Sequence, residues 1–268
     1  MTERGSPSER PLTIEQRGAV LIVGIDRTHK RNAINDETIA ALDECFSTLP
    51  SDVKAAVIHG VGPHFSAGLD LGEISERDVT AGVYHSRGWH RVFEKIEFGR
   101  IPVVAVLRGA VVGGGLELAA ATHVRVAERS AFYALPEGQR GIFVGGGGSV
   151  RLPRLIGVHR MADMMLTGRT YGAAEGVALG FSQYLVEDGE GFAKGLALAE
   201  AMAGNAPLTN FAVIQALPRI AESDPRVGYL MESLMAAVAQ GDDEAKARVN
   251  AFLEKRAGKV SRPEQPPI

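Results

Sequence analysis

Apolar residues recur along the chain with two different periods, and these periods separate strands from helices. Short apolar runs bounded by turn residues predict strands, and apolar positions three or four residues apart predict helices. Two strand-like runs, 12–16 and 19–25, flank Arg17-Gly18 and predict a β-hairpin. The other predicted strands are 55–61, 103–107, 124–127, 131–135 and 181–186.

Predicted helices alternate with these strands until about residue 205, after which helix follows helix. Asn35 or Asp36 caps the first helix, and glycines at 157, 168 and 180 end three later ones. The polar stretch 73–91 shows no clear period and is not assigned, and the next predicted helix is 92–98. The predicted helices are 37–46, 92–98, 115–121, 147–156, 160–166, 173–179, 192–203, 208–220, 226–240 and 243–255.

This order of elements predicts the fold class. Strands alternating with helices, followed by helices alone, indicate an α/β core over residues 12–205 and a helical region over 206–268. Residues 1–11 are polar and carry both charges, and we expect them to form a disordered lead.

Composition narrows the class of protein. The 268 residues carry a net charge of −3, which opposes a general nucleic-acid binder. No run of 18 apolar residues occurs, and the N-terminal segment lacks the apolar core of a signal peptide, so no membrane association is expected. Cys45, the one cysteine, lies in the first predicted helix, where a buried thiol in a reducing, cytoplasmic setting is expected.

Two glycine-rich stretches, each accompanied by a glutamate, carry the candidate chemistry. Gly113–Gly115 is followed by Glu117, and Glu137 is followed by Gly145–Gly148. Glycine lets backbone N–H groups approach a ligand oxygen closely, and an acid beside them can transfer protons. Backbone donors together with two carboxyl groups favour chemistry that passes through an enolate.

Glutamates, glycines and histidines more often have structural roles than catalytic ones, so each candidate is weighed against a structural role. A glutamate near a helix start is more often a cap, but apolar residues surround Glu117 in the run Leu116 to Ala120. The first glycine stretch lacks the Gly-Lys-Ser/Thr ending of a P-loop, which opposes nucleotide hydrolysis. Ser66 lies outside any Gly-x-Ser-x-Gly elbow, so a serine hydrolase is not supported. The histidines show no spacing typical of a metal site, and structural or surface roles are expected for all of them.

Four motifs that occur in order give the chain a resemblance to the enoyl-CoA hydratase/isomerase (crotonase) family. They are Asp26-Arg27 with Lys30-Arg31-Asn32-Ala33, then His64-Phe65-Ser66-Ala67-Gly68-Leu69-Asp70-Leu71, then Gly109 to Glu117, and finally Pro136-Glu137 with Gly141. The resemblance implies a crotonase-like ββα spiral core followed by an α-helical C-terminal oligomerisation region. By analogy with the family, a homotrimer or a dimer of trimers is expected.

The resemblance also implies roles for particular residues. The backbone N–H groups of Leu69 and Gly114 would form an oxyanion hole for the thioester oxygen. Glu137 would act as the acid or base at the α-carbon, while Glu117 would orient or deprotonate water. An acyl-CoA thioester would then be the substrate, with no separate cofactor and no metal.

Coenzyme A carries several phosphate charges, and the basic residues between 27 and 31 supply a local positive patch in a slightly acidic chain. A solvated basic turn is the alternative interpretation of this patch. The CoA-binding residues implied by the resemblance are Arg27, Lys30, Arg31, Ala33, Ala67, Phe252 and Lys255.

The two glutamates favour one reaction within the family, the reversible addition of water to a 2-enoyl-CoA. Δ3,Δ2-enoyl-CoA isomerisation or another acyl-CoA lyase or hydrolase reaction is the alternative of the same family, and a non-catalytic acyl-CoA-binding protein is the alternative of a different class. One departure concerns electrostatics near the site, since Thr122-His123 stands where many relatives carry Cys-Asp.

Overall fold

The computed structural model describes residues 10–73, 78–254 and 256, and its largest element is a six-stranded sheet. The order of strands is β1-β2-β3-β4-β6-β9. Strands β1 and β2 form the predicted antiparallel hairpin, and every other neighbouring pair is parallel. The bounds are β1 Leu12–Arg17, β2 Val20–Ile25, β3 Ala55–Gly60, β4 Val103–Leu107, β6 Val124–Glu128 and β9 Tyr184–Val186.

Both faces of the inner strands β2, β3 and β4 are buried, which explains why these strands read as largely apolar runs. In β2, Val20 and Ile22 belong to one core cluster, while Leu21, Val23 and Ile25 belong to a larger cluster on the opposite face. Successive side chains of a strand point to opposite faces, so one apolar run serves both clusters.

A second sheet positions the two candidate acids. It has the order β5-β7-β8, with β5 at Ala110–Val112, β7 at Phe132–Ala134 and β8 at Tyr171–Gly172. Strand β5 runs parallel to β7 in a register that places Val112 opposite Ala134. Neither β5 nor β8 was predicted, because strands of three and two residues are too short to show a period.

Most of the helices of the α/β unit lie close to their predicted positions. Helix α1 begins after Asn35, whose side chain accepts a hydrogen bond from the Thr38 amide and acts as the N-cap. The bounds are α1 Asp36–Ser47, α2 Val79–Glu97, α3 Gly114–Ala120, α4 Gly148–Ile156, α5 Val158–Thr167, α6 Ala173–Leu179 and α7 Gly191–Ala203.

Helix α2 corrects the prediction for the polar stretch 73–91. It spans 19 residues, Val79–Glu97, and Asp78 caps its start by accepting a hydrogen bond from the Ala81 amide. All four of its buried residues, Trp89, Val92, Phe93 and Ile96, fall in the second half. The first half therefore lacks the apolar stripe from which a helix is recognised in a sequence.

The chain forms two compact units, Met1–Gly204 and Asn205–Ile268, and the second is helical throughout its described part. Its helices are α8 Pro207–Phe211, α9 Leu217–Glu222, α10 Pro225–Gly241 and α11 Asp243–Leu253. The single helix predicted over 208–220 is interrupted by a π-helical turn, Ala212–Ala216. Pro218 follows this turn and cannot donate a backbone hydrogen bond, which disturbs the regular ladder there.

No helix in the described ranges combines the length and the apolar character that crossing a bilayer requires.

Asn32 joins the loop after β2 to the loop after β3. Its side chain is fully buried, accepts a hydrogen bond from the Arg27 amide at 3.0 Å, and donates to the carbonyl oxygens of Val61 and His64 at 2.9 and 2.8 Å. Its φ of 57° lies in the left-handed region, which asparagine tolerates better than most residues. One side chain thus orders both loops that lead into the site.

We expect Asn32→Asp to lower the free energy of unfolding by about 2–4 kcal/mol. The change preserves shape but replaces the donating amide with an acceptor, so that two buried carbonyls lose their partner. Urea unfolding would measure this, with Asn250→Asp on the exposed face of α11 as the control. Equal stability of the two variants would contradict the role given to Asn32.

Candidate active site

The two candidate acids lie at the same edge of the second sheet. Parallel strands end at the same edge, and β5 leads into Gly113 and α3, whereas β7 leads into Pro136 and Glu137. The Gly113 amide donates to the carbonyl oxygen of Ala134 at 2.9 Å, which extends the pairing by one residue. Glu117 and Glu137 consequently lie in the walls of one cavity.

Glu117 is buried and held by the second glycine run. Its Oε1 accepts hydrogen bonds from the amides of Gly146 at 2.8 Å and Gly148 at 2.7 Å. Any Cβ on Gly148 would lie 2.9 Å from the Glu117 side chain, so the approach requires glycine. The run 145–148 was expected to bind a ligand oxygen, and the structure corrects this, because two of its amides bind the carboxylate of Glu117.

Burial raises the pKa of Glu117, while the two amides and the nearby Arg151 act in the opposite direction. Arg151 is itself buried, donates from Nε to Oε2 of Glu97 at 2.6 Å, and donates from a terminal nitrogen to the Gly146 carbonyl at 2.9 Å. A single cation therefore fixes the glycine run that fixes Glu117.

Glu137 has a less polar environment. Only 7% of its surface is exposed, and Oε2 is a buried oxygen with no hydrogen-bond partner among the described residues. Burial raises its pKa to about 7, and the negative charge of Glu117 acts in the same direction. A carboxyl group with this pKa is populated in both protonation states near neutral pH.

Gly113 explains how Glu137 approaches the backbone so closely. A Cβ on Gly113 would lie 2.5 Å from Oε1 of Glu137, and the φ of Gly113 is 51°. A side chain at this position would be strained and would displace the carboxyl group.

The amides of Leu69 and Gly114 are neighbours. The segment that carries Leu69 runs parallel to β5 through a bridge between Ser66 and Val111. A Cβ on Gly68 would lie 3.3 Å from the Gly114 nitrogen, and one on Gly114 would lie 3.4 Å from the Leu69 nitrogen. Within the described part of the chain, neither amide donates a hydrogen bond to another residue. Both N–H groups remain available to an oxygen of a ligand.

These groups border a cavity of about 510 Å³ within the α/β unit, a size typical of sites for small molecules. The lining combines Glu117, Glu137 and the segments around Leu69 and Gly114 with an apolar wall. That wall consists of Leu71, Val79, Val83, Trp89, Val112, Ile142, Phe143 and Val144.

Residues of α2 line this cavity. His85, Ser86, Arg87 and Trp89 all contribute to the lining. Trp89 is almost fully buried, and a Cβ on Gly114 would lie 2.8 Å from its ring. The residues at 89, 92, 93 and 96 follow a helical period, a signal that could have extended the predicted helix towards its start.

The predicted CoA-binding residues have different surroundings in the structure. Arg27 is tied into the fold, because its guanidinium donates to the Ala33 carbonyl at 2.5 Å and to Oδ2 of Asp70 at 3.0 Å. Lys30 and Arg31 are exposed, Ala33 is buried, and Ala67 lines the cavity. Phe252 is 53% exposed on α11 of the second unit, and Lys255 lies outside the described residues.

The other candidate groups have structural surroundings, apart from His85 in the cavity wall. Cys45 is buried, as predicted, and burial raises the pKa of its thiol to about 11, which makes it a poor nucleophile. His123 stands where many relatives carry the aspartate of Cys-Asp. Its Nδ1 accepts a hydrogen bond from the Val103 amide at 3.0 Å. Burial lowers the pKa of His123, so a neutral ring replaces the expected anion.

A sequence model of the enoyl-CoA hydratase/isomerase family matches residues 15–261, and the chain belongs to this family. The short-chain-enoyl-CoA hydratase of Clostridium acetobutylicum is 30% identical over 91% of this chain and 94% of its own length. Carnitinyl-CoA dehydratase of Proteus mirabilis is 32% identical over 92% of this chain and 96% of its own.

A solved structure agrees over nearly the whole fold. The crystal structure of a "putative enoyl-CoA hydratase" from Rhodopseudomonas palustris CGA009 is 64% identical and superimposes with a TM-score of 0.90, covering 92% of this chain and 95% of that one. The predicted family and the predicted crotonase-like α/β fold with its helical C-terminal region are thereby confirmed.

We expect Glu137 to titrate near pH 7, and Glu117→Gln to lower its pKa towards the ordinary value of 4.5. Removal of the neighbouring negative charge makes ionisation of Glu137 less costly. Carboxyl-carbon NMR of glutamate-labelled protein would follow the titration, with the exposed Glu200→Gln as the control. A titration of Glu137 near 4.5 in the parent protein would show that its burial does not perturb it.

Proposed function

We propose that this protein is an enoyl-CoA hydratase that adds water reversibly to the double bond of a 2-enoyl-CoA thioester. One observation carries the proposal: two carboxyl groups, Glu117 and Glu137, border the same cavity as two unengaged backbone amides. Hydration needs a base for water, an acid for the α-carbon and donors for the developing oxyanion, and this arrangement supplies all of them.

Binding of the thioester oxygen by the amides of Leu69 and Gly114 starts the proposed mechanism. These donors stabilise the enolate more than the substrate, because negative charge on the oxygen grows as water adds. Both donors are main-chain groups of the folded segments, so they need little reorganisation when that charge develops.

Proton transfer is divided between the two acids. Glu117 accepts a proton from water as the water oxygen bonds to the β-carbon, and the electrons of the double bond move to the thioester oxygen. Protonated Glu137 then donates its proton to the α-carbon, and the oxygen returns to a carbonyl. In the reverse direction the two groups exchange roles, for which a pKa of Glu137 near 7 is well suited.

The surroundings of Glu117 support its role as the base. Both glycine amides bind Oε1, so that Oε2 is not engaged by them and can face a water molecule. The same two hydrogen bonds favour the ionised form of the carboxyl group.

For the CoA phosphates, we propose Lys30 and Arg31 as partners, since both side chains are exposed on one short turn. Arg27, which was also predicted to bind CoA, supports that turn through Ala33 and Asp70. CoA enters as part of the substrate, no further cofactor is proposed, and a cytoplasmic location remains a prediction from the single cysteine.

We expect Glu117→Gln and Glu137→Gln each to lower kcat for hydration by about 100- to 10,000-fold, the usual contribution of a general acid or base. Glutamine keeps the size of the side chain but cannot exchange the proton. The rate is measured with a panel of 2-enoyl-CoAs. Ultraviolet absorption reports the loss of the double bond that is conjugated with the thioester carbonyl.

Glu200→Gln, on the exposed end of α7, is the matched control and should retain the parent rate. Both active-site variants should still bind a saturated acyl-CoA and lower the stretching frequency of its thioester carbonyl, because the backbone donors are unchanged. Parent-like turnover in either variant would refute the assigned roles. Tight binding without turnover by the parent protein would instead favour a non-catalytic acyl-CoA binder.

We also propose that the second unit takes part in self-assembly as a trimer or a pair of trimers. Its helix α10 exposes Tyr229, Leu230, Leu234 and Val238, with exposed fractions of 70%, 61%, 60% and 49%. Burial of such side chains is a driving force for association. Light scattering should give the mass of three or six chains at micromolar concentration, and a monomer there would contradict this proposal.

A further inference from the structure

Two arginines line the catalytic cavity without an ionic partner in the described part of the chain. Arg87 lies on α2, and Arg140 lies in the short 3-10 turn that follows Glu137. Both residues line the cavity, and neither side chain forms a hydrogen bond or ion pair with another described residue. By contrast, Arg27 and Arg151 of the same unit each contact a carboxylate within 3.0 Å.

Arg87 follows a serine that contacts the glycine run beside Glu117. The adjacent Ser86 donates a hydrogen bond of 2.7 Å to the carbonyl oxygen of Gly145. Gly146, the next residue, is one of the two that hold Glu117. Burial lowers the pKa of His90, and the charge of Arg87, three residues earlier in the chain, acts in the same direction.

Arg140 lines the same cavity from a different segment, the turn that follows Glu137. It lies three residues after Glu137, and its charge partly offsets the rise in the pKa of that carboxyl group. The cavity wall that accompanies the two arginines is apolar and includes Val83, Ile142 and Phe143. A ligand that fits this wall needs an apolar stem, and the two guanidinium groups favour an anion.

The phosphates of CoA are one source of such an anion, but their proposed partners lie elsewhere. Among the described residues that line the cavity, none comes from the basic turn 27–33. A second pair of cations at the cavity wall is therefore better explained by the acyl group than by the nucleotide.

We propose that the preferred substrate carries a carboxylate at the far end of its acyl chain, and that Arg87 and Arg140 bind it. This inference rests on the proposed hydratase function and names the substrate class of the same cavity. Guanidinium groups pair well with carboxylates through two parallel hydrogen bonds.

Two substrates of similar length test the proposal: the CoA thioesters of trans-2-hexenedioic acid and trans-2-heptenoic acid. The parent protein should hydrate the carboxylated substrate with a kcat/KM about tenfold higher or more. Arg87→Gln and Arg140→Gln should each remove about tenfold on that substrate, with little change on the neutral one. Added salt should reduce the preference, since exposed charges are screened.

Arg91→Gln is the matched control, because Arg91 is exposed one turn further along α2 and does not line the cavity. It should retain the parent preference. Calorimetry with adipoyl-CoA and hexanoyl-CoA gives a second measurement that does not need turnover, and the variants should lose affinity only for the former.

The outcomes separate this inference from the proposed function. Efficient hydration of the neutral substrate with no preference for the charged one overturns the inference and leaves the hydratase intact. An equal loss on both substrates in the arginine variants also overturns it, and assigns the arginines to CoA or to Glu137. Absence of hydration with every 2-enoyl-CoA overturns the proposed function and this inference with it.

Discussion

Strands β5 and β7 pair in parallel over three residues each, and the position of every proposed catalytic group depends on that pairing. Gly114 and Glu117 follow the end of β5, and Glu137 follows the end of β7. The segment that carries Leu69 joins the same edge through the bridge from Ser66 to Val111. Backbone hydrogen bonds, which vary little in length, thus determine distances that catalysis requires to be accurate.

Bringing two carboxyl groups into one apolar cavity is costly, and the fold distributes that cost unequally. Glu117 receives two backbone donors and lies near Arg151, whereas one oxygen of Glu137 has no partner among the described residues. Burial raises the pKa of both carboxyl groups, but at Glu117 the backbone donors of the glycine run act against this rise together with a nearby arginine.

Several glycines of this site contact side chains of the protein itself. Gly113 lets Glu137 approach the backbone, and Gly148 lets its amide reach Glu117. Arg27 and Asn32 act similarly in the loops, since both bind backbone groups inside the fold. The cations that we propose for ligands, Lys30 with Arg31 and Arg87 with Arg140, lie on different segments. This separation suits a substrate that is charged at both ends.

The sequence by itself determined the hairpin, the α/β order, the helical C-terminal region and the family, because long apolar periods and ordered motifs are local signals. It also marked Glu117 and Glu137, whose roles remain to be measured. The first half of α2 was not predictable, since it has no buried stripe, and neither were β5 and β8, which are too short to show a period. Only the tertiary structure decided that the amides of Gly146 and Gly148 bind Glu117, that Arg27 supports a loop, and that Arg87 and Arg140 line the cavity. Those contacts join residues far apart in the chain, and no local pattern encodes which partner a donor or a charge will meet.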